Sequence, residues 1–84
     1  MTYQVQIRVM PRRSLLDPQG QAVAHALSAL GFADVESVRV GKALSLAVSA
    51  PNPEAARERA QAMCRRLLAN PVTEDFEVVV GAAT

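Results

Sequence analysis

The sequence predicts an α+β fold, a two-layer βαββαβ (ferredoxin-like) sandwich with two helices on one face of a four-stranded antiparallel sheet. Its 84 residues suffice for a single core. Apolar residues alternate with polar ones in some segments and recur at helical spacing in others. These segments follow one another as strand, helix, strand, strand, helix, strand. Residues 1–80 are therefore predicted to form one domain, and residues 81–84 a flexible tail.

Four segments have the patterns of strands. From Tyr3 to Val9 apolar and polar residues alternate, as in a half-buried strand, and Pro11 ends the run because proline cannot donate to a strand partner. The remaining strands are predicted at Val35, Val38 and Val40, at Leu44, Leu46 and Val48, and from Thr73 to Val80. Between the second and third strands, Gly41-Lys42 predicts a tight hairpin turn or a bulge.

Two helices begin in the same way, with a polar cap followed by a proline at the first helical position. Asp17 and Asn52 are the predicted caps. Helix one is expected from Pro18 to Leu30. Helix two is expected to end near Asn70, which tolerates the left-handed conformation, and Pro71 prevents its continuation.

Composition excludes several classes of protein. Nine basic and eight acidic side chains give a net charge of +1, which argues against a general nucleic-acid binder. Cys64 is alone, so no intrachain disulfide can form, and a reducing cytoplasm is the expected location. One cysteine and one histidine fall short of a four-ligand metal site. The N-terminus lacks the pattern of a signal peptide, and we expect a soluble protein.

No set of residues predicts an active site. His25 lies inside helix one without an acid or a nucleophile beside it, and Cys64 lies on the apolar stripe of helix two, where a free cysteine behaves as a small core residue. Glu74 and Asp75 are adjacent in a strand, so their side chains should point to opposite faces and cannot easily share a proton. Their spacing favours charge pairing over acid–base work.

The stretch RRSLLDPQG has two interpretations. Gly20 falls in the first turn of helix one, where backbone N–H groups could bind an anion, and Arg12 and Arg13 are close in sequence. Asp17 already brings a negative charge to that position. The sequence favours a helix cap and leaves an anion site open.

The predicted architecture leaves one face of the sheet without helices. The strands carry apolar residues on both parities, because Val79 interleaves with Val78 and Val80, and Ala43 and Ala47 lie opposite Leu44, Leu46 and Val48. An uncovered apolar face or open edge is a candidate interface. We therefore expect a homo-oligomer, a dimer or a tetramer, joined through the sheet.

Several fragments, taken together, resemble one family. LLDPQGQAVAHALSALGF, VRVGK and MCRRLLANPVTEDFEV, at these spacings, are similar to the PurS family, a small subunit of phosphoribosylformylglycinamidine (FGAM) synthase in purine biosynthesis. The likeness spans nearly the whole chain. It departs mildly at Arg12, where lysine is expected, and at Thr73, where an aliphatic residue is common.

The resemblance implies a role that the residues alone do not supply. The family's enzyme converts formylglycinamide ribonucleotide, glutamine and ATP into FGAM, glutamate, ADP and phosphate. A large subunit performs the amidation, a glutaminase subunit releases ammonia, and the small subunit is implied to bridge them without an active site or a cofactor of its own. ATP and Mg are then used by the complex. The polar residues of the family-like motifs are candidates for the self-interface or the partner contacts: Arg12, Arg13, Asp17, Gly20, Arg39, Gly41, Lys42, Asn70 and Glu74.

Two other classes stay open. A dimeric βαββαβ module could sense an amino acid or a nucleotide between subunits, and it would bind a small molecule saturably. An acylphosphatase-like enzyme shares the topology, but the glycine-rich anion loop with its arginine is missing from the sequence.

Overall fold

The computed structural model describes residues 1–83, which form an α+β fold. The elements are β1 (Thr2–Pro11), α1 (Pro18–Ala29), β2 (Lys42–Ser49), α2 (Pro53–Met63), a π-helical turn (Cys64–Leu68) and β3 (Glu74–Ala83). Within the described residues the sheet has three strands in the order β2-β1-β3, and β1 is antiparallel to both neighbours. The predicted α+β class is confirmed.

β1 forms the centre of the core, as its alternating pattern predicts. Val5, Ile7 and Val9 are almost completely buried, whereas the residues between them are exposed. Val5 lies between Leu46 of β2 and Val80 of β3. One face of the sheet therefore carries the core, and the other face is polar along β1.

α2 covers the core face with small side chains. Ala56, Ala60 and Cys64 are fully buried, and their small size lets the helix approach the sheet closely. The helix ends in a π turn, in which the N–H of Ala69 donates to the carbonyl of Cys64 at 2.9 Å. A π turn holds one residue more than an α-helical turn, so the side chains that follow are rotated about the helix axis. Leu67, which lies in this turn, is 83% exposed.

The predicted second strand is absent from the described chain. Residues 35–41 form neither helix nor strand, and β2 begins directly at Lys42, so Gly41-Lys42 is not a hairpin turn. The backbone N–H of Val40 donates instead to the carboxylate of Asp17 at 2.8 Å, and the carbonyl of Val38 lies against Gly20. This segment is thus held by α1, and the outer edge of β2 stays unpaired.

The prediction that both helices cover one face is wrong for α1. Within residues 1–83 the core contains no side chain of α1, and Val23 and Leu30 are exposed. The radius of gyration is 16.2 Å, against about 12 Å for a compact chain of this length. The connection after Pro11 leads α1 away from the sheet, and contacts of its first turn with Val38 and Val40 hold it there.

The ends of the elements differ slightly from the predicted ones. α1 ends at Ala29, and Gly31 follows with φ +101°, a left-handed conformation that glycine adopts without strain. β3 continues to Ala83, beyond the predicted end at Val80, and Thr84 lies outside the described residues. Among the described residues, no helix has the length and apolar character needed to cross a membrane.

Candidate protein-interaction site

The residues predicted to form interfaces fall into three neighbouring groups. Asp17, Gly20 and Arg39 lie where α1 meets the segment before β2, and Gly41 and Lys42 lead into β2. Asn70 and Glu74 form the turn before β3, and Arg12 and Arg13 follow β1 beside it. Most of them have structural roles within the fold, which are described first by group.

Asp17 fastens α1 to the segment before β2. One carboxylate oxygen, Oδ1, accepts from the N–H of Gly20 at 3.0 Å, and Oδ2 accepts from the N–H of Val40 at 2.8 Å. These hydrogen bonds hold the pKa of Asp17 below its ordinary value, and the nearby Arg39 adds to the effect. The cap interpretation is confirmed, because the side chain of Asp17 occupies the first turn of the helix.

Gly20 makes the close contact of these two segments possible. A Cβ at this position would lie 2.9 Å from the carbonyl carbon of Val38 and 2.8 Å from Oδ2 of Asp17. Both distances are shorter than any normal carbon contact, so a side chain would push the segments apart. Gly20 is therefore needed for packing, and its backbone N–H is already bound to Asp17.

Asn70 and Glu74 close the turn before β3 through reciprocal hydrogen bonds. The N–H of Asn70 donates to Oε1 of Glu74 at 2.8 Å, and the N–H of Glu74 donates to the carbonyl of Asn70 at 2.8 Å. The side-chain oxygen of Asn70 accepts from the N–H of Val72 at 2.9 Å. Arg12 joins this turn to β1, because its guanidinium donates to the carbonyl of Pro71 at 2.6 Å.

Gly41 and Lys42 hold the start of β2 in place. The Nζ of Lys42 donates to the carbonyl of Leu68 at 3.1 Å, at the end of the π turn. A cation is favourable there because carbonyl groups at the end of a helix carry partial negative charge. A Cβ at Gly41 would collide with Met10 and with the carbonyl of Val9. Both residues thus have a structural role whether or not a partner also contacts them.

An open groove of about 570 Å³ runs along the polar side of β1 and β3 near the end of the sheet. We call it the arginine groove, and it is lined by Arg8, Met10, Arg12, Arg13, Ser14, Arg39, Asp75, Phe76 and Glu77. Arg8 pairs with Glu77 at 3.4 Å and Arg12 with Asp75 at 3.6 Å. Arg13 and Arg39 form no ion pair with any residue that the structure describes.

The groove brings together three of the predicted residues and adds others that sequence analysis did not select. Arg12, Arg13 and Arg39 line it together, although Arg39 is distant in sequence. Arg8 and Glu77 were missed, and the signal for them was present. The alternation of β1 places Arg8 on the polar face, and Glu77 is its register partner in β3.

The candidates for chemistry remain apart from one another. Cys64 is fully buried, and burial raises the pKa of its thiol. Glu74 contacts the turn, whereas Asp75 pairs with Arg12, so the adjacent carboxylates do have separate surroundings. His25 is exposed on α1. Among residues 1–83, no three His, Cys, Asp or Glu side chains are grouped so that they could hold a metal ion.

The exposed apolar side chains are concentrated outside the sheet face. The polar side of the sheet presents Gln4, Gln6, Arg8, Ser45 and Glu77, with Ala43, Ala47 and Val79 among them. On α1 and the chain just after it, Val23, Leu30, Phe32 and Val35 are all more than a third exposed. We call Val23, Leu30 and Phe32 the α1 apolar patch, because Val35 lies on another side of the helix, beside Gln21, Ala24 and Ser28.

Comparisons with known proteins agree on one family. The PurS family model, described as phosphoribosylformylglycinamidine (FGAM) synthase, matches residues 4–82. The synthase subunit PurS of Methanocaldococcus jannaschii is 33% identical over 93% of this chain and 94% of the relative. The structure of Thermus thermophilus PurS matches with a TM-score of 0.86 at 40% identity, covering 100% of both chains.

A chain in the structure of PurLQS from Thermotoga maritima matches with a TM-score of 0.89 at 33% identity, covering 96% of this chain and 99% of that one. The matches therefore extend over the whole domain rather than over one motif. The chain therefore belongs to the PurS family of phosphoribosylformylglycinamidine synthase subunits.

Proposed function

We propose that this chain bridges the large amidating subunit and the glutaminase subunit of FGAM synthase, so that ammonia released from glutamine reaches the amidation site. The carrying observation is the match to a chain of the PurLQS structure over 99% of that chain. In this proposal ATP and Mg act in the complex, and this chain contributes shape and contact surface to it.

The contacts of the polar residues support a scaffold role. Asp17 and Lys42 each bind a backbone group of a distant segment, and the side chain of Asn70 binds a backbone group within its own turn. Such contacts fix the positions of the turns rather than prepare side chains for proton transfer. A specific interface buries about 1,200 Å² or more in total, which is a large part of the surface of so small a chain. The turns within such an interface need fixed shapes so that the two surfaces fit.

Reconstitution tests this proposal. The purified chain is mixed with the large and glutaminase subunits of the same organism, and FGAM formation is measured with glutamine and, separately, with ammonium chloride as the nitrogen source. We expect glutamine-dependent activity to require the chain and ammonium-dependent activity of the large subunit to be independent of it. Equal glutamine-dependent activity with and without the chain would refute the bridging role.

Lys42 offers a local test of the predicted contacts. We propose that it belongs to a partner interface in addition to holding Leu68, because its side chain is exposed beside the π turn. Lys42→Glu should weaken complex formation, and Lys42→Met, which keeps the apolar stem, should retain more of it. If both variants assemble like the wild type and keep full glutamine-dependent activity, Lys42 is only structural.

We also propose that the chain self-associates, but through the α1 apolar patch rather than through the sheet. The α1 apolar patch supports it better than the sheet face does, since the sheet face is largely polar and α1 has no core contacts among the described residues. The unpaired outer edge of β2 adjoins this region through residues 35–41. A second copy that covers the patch would bury exposed side chains such as Leu30 and Phe32.

We propose a cytoplasmic location for the chain, on the ground that its single thiol, Cys64, is free and buried. A reducing compartment preserves such a thiol. Cell fractionation followed by antibody detection checks this proposal, and recovery of the chain outside the cytoplasmic fraction would contradict it.

A further inference from the structure

The charge of the molecule is unevenly distributed. The whole chain has a net charge of +1, but the arginine groove is lined by four arginines and two carboxylates. A groove with an excess of positive charge attracts negatively charged groups and repels positive ones. The kind of partner that binds in the groove is thus decided by charge rather than by apolar area.

The arginines of the groove differ in how far they are engaged. Arg8 is paired with Glu77, and Arg12 is paired with Asp75. The charges of these two guanidinium groups are therefore already partly balanced. Arg13 and Arg39 are exposed and form no direct ion pair within the described chain, although Arg39 is close enough to Asp17 to help lower the pKa of that carboxyl. Each guanidinium has five N–H donors in a planar arrangement that suits the two oxygens of a carboxylate. The groove therefore has two guanidinium groups, those of Arg13 and Arg39, whose N–H donors are not used in a direct ion pair within the described chain.

We propose that the arginine groove binds an acidic segment of a partner subunit of the synthase, with carboxylates of that segment paired to Arg13 and Arg39. This inference rests on the proposed function. A protein segment suits the site better than a small molecule does, because the groove is open to solvent, whereas small-molecule sites enclose about 70–90% of their ligand. A second copy suits it less well, since each copy would bring its own positively charged groove.

The test measures binding of the full-length chain to the large subunit and to the glutaminase subunit, each from the same organism. Arg13→Glu/Arg39→Glu reverses both charges. Arg13→Gln/Arg39→Gln removes them without adding repulsion, including repulsion between position 39 and Asp17. The matched control, Arg59→Glu/Arg66→Glu, makes the same change in net charge on the exposed surface of α2 and the π turn. Circular dichroism verifies that each variant is folded.

We expect the groove reversal to weaken binding to one partner about tenfold or more, a difference typical of lost charge complementarity. The glutamine variant should weaken it less, and the control should stay close to the wild type. The affinity of the wild type should fall with added salt more steeply than that of either groove variant, because screening acts on the pairs that the variants lack.

Four results would overturn the inference. The first is wild-type affinity of both groove variants for both partners, and the second is equal weakening by the Arg59→Glu/Arg66→Glu control. The third is saturable binding of ATP or inorganic phosphate to the isolated chain that disappears in the groove variants, which would indicate a small-molecule site. If the variants lose activity only because self-association is lost, sedimentation of the isolated chain reveals it and also overturns the inference.

The proposed function fails in a different way. If the wild-type chain neither binds the partners nor supports glutamine-dependent FGAM formation, the bridging role and the groove proposal are both refuted. If the wild type supports activity and the groove variants support it at the same chain concentration, only the groove proposal is refuted.

Discussion

Single residues decide how the segments of this small protein are joined. Asp17 and Gly20 act together, since the carboxylate binds two backbone N–H groups and the missing side chain lets Val38 approach. The sequence indicated Asp17 as a helix cap, and that prediction is confirmed. Its second bond, to Val40, could not be predicted, because it joins residues 23 positions apart through a segment with no regular pattern.

The stability contributed by Asp17 should depend on pH. Its pKa is lowered in the folded chain, so its contribution is present above the unfolded value and is lost as pH falls through the folded value. Asp17→Asn keeps a cap oxygen but loses the charge and one acceptor. We expect its urea midpoint to lie below that of the wild type at neutral pH, and the difference to shrink below about pH 4.

Urea titrations of both proteins between neutral and acidic pH measure this difference. Asp34→Asn is the matched control, because Asp34 is exposed and no ion pair within the described chain includes it. Its midpoint should follow the wild type at every pH. A difference for Asp17→Asn that stays constant into the acid range would show that the carboxylate charge does not matter.

Gly20→Ala should destabilise the chain although alanine favours helices. The added Cβ would lie too close to the backbone of Val38 and to Asp17, so the segments must separate. We expect a loss of about 1–3 kcal/mol in the free energy of unfolding, the usual effect of overpacking. Gln21→Ala, the next and exposed position of α1, should change it by less than about 0.5 kcal/mol. Equal stability of both variants would contradict the close contact.

At the scale of elements, the patterns with a strong period were the ones that sequence analysis identified correctly. β1 alternates over its whole length, and the two helices begin with a polar cap and a proline. Residues 35–40 carried three valines without strict alternation, and their N–H and C=O groups are partly used by α1. A strand prediction from valines alone could not include this competition.

The packing of α1 was also beyond sequence analysis. Its apolar residues recur at helical spacing, which predicts an amphipathic helix but not the surface that covers it. In the described chain that surface is missing, and Val23 is exposed. The arginine groove could not be predicted for a related reason. Arg39 lies in the irregular segment before β2, and its place in the groove depends on the attachment of that segment to the start of α1 through Asp17 and Val40.

The weak attachment of α1 should appear in hydrogen exchange. A helix without core contacts opens at low free energy, whereas β1 is buried between two strands. At low protein concentration we expect amides of residues 21–29 to exchange at least about tenfold faster than those of residues 4–10. Mass spectrometry of peptic peptides measures both. Protection of α1 should rise with concentration, and concentration-independent protection equal to that of β1 would contradict this assignment.

At the scale of the whole molecule, the proposed self-association would account for both the extended shape and the exposed patch. A principal extent of 50 Å and a radius of gyration of 16.2 Å mean that much of the apolar surface is not buried within one chain. Residues 1–83 form their core mainly from β1, its two neighbours and α2. A chain with so small a core gains stability when a second copy covers the remaining apolar residues.

This explanation predicts the oligomeric state and a way to change it. Analytical ultracentrifugation at micromolar concentration should show a dimer or a tetramer for the wild type. Val23→Lys/Leu30→Lys places two charges in the α1 apolar patch, about two helical turns apart. We expect this variant to be a monomer, because an interface that buries unpaired charges is unfavourable. Gln21→Lys/Ser28→Lys adds the same charges at the same spacing on exposed positions of the same helix and should sediment like the wild type. A monomeric wild type would refute self-association, and an oligomeric patch variant would move the interface away from α1.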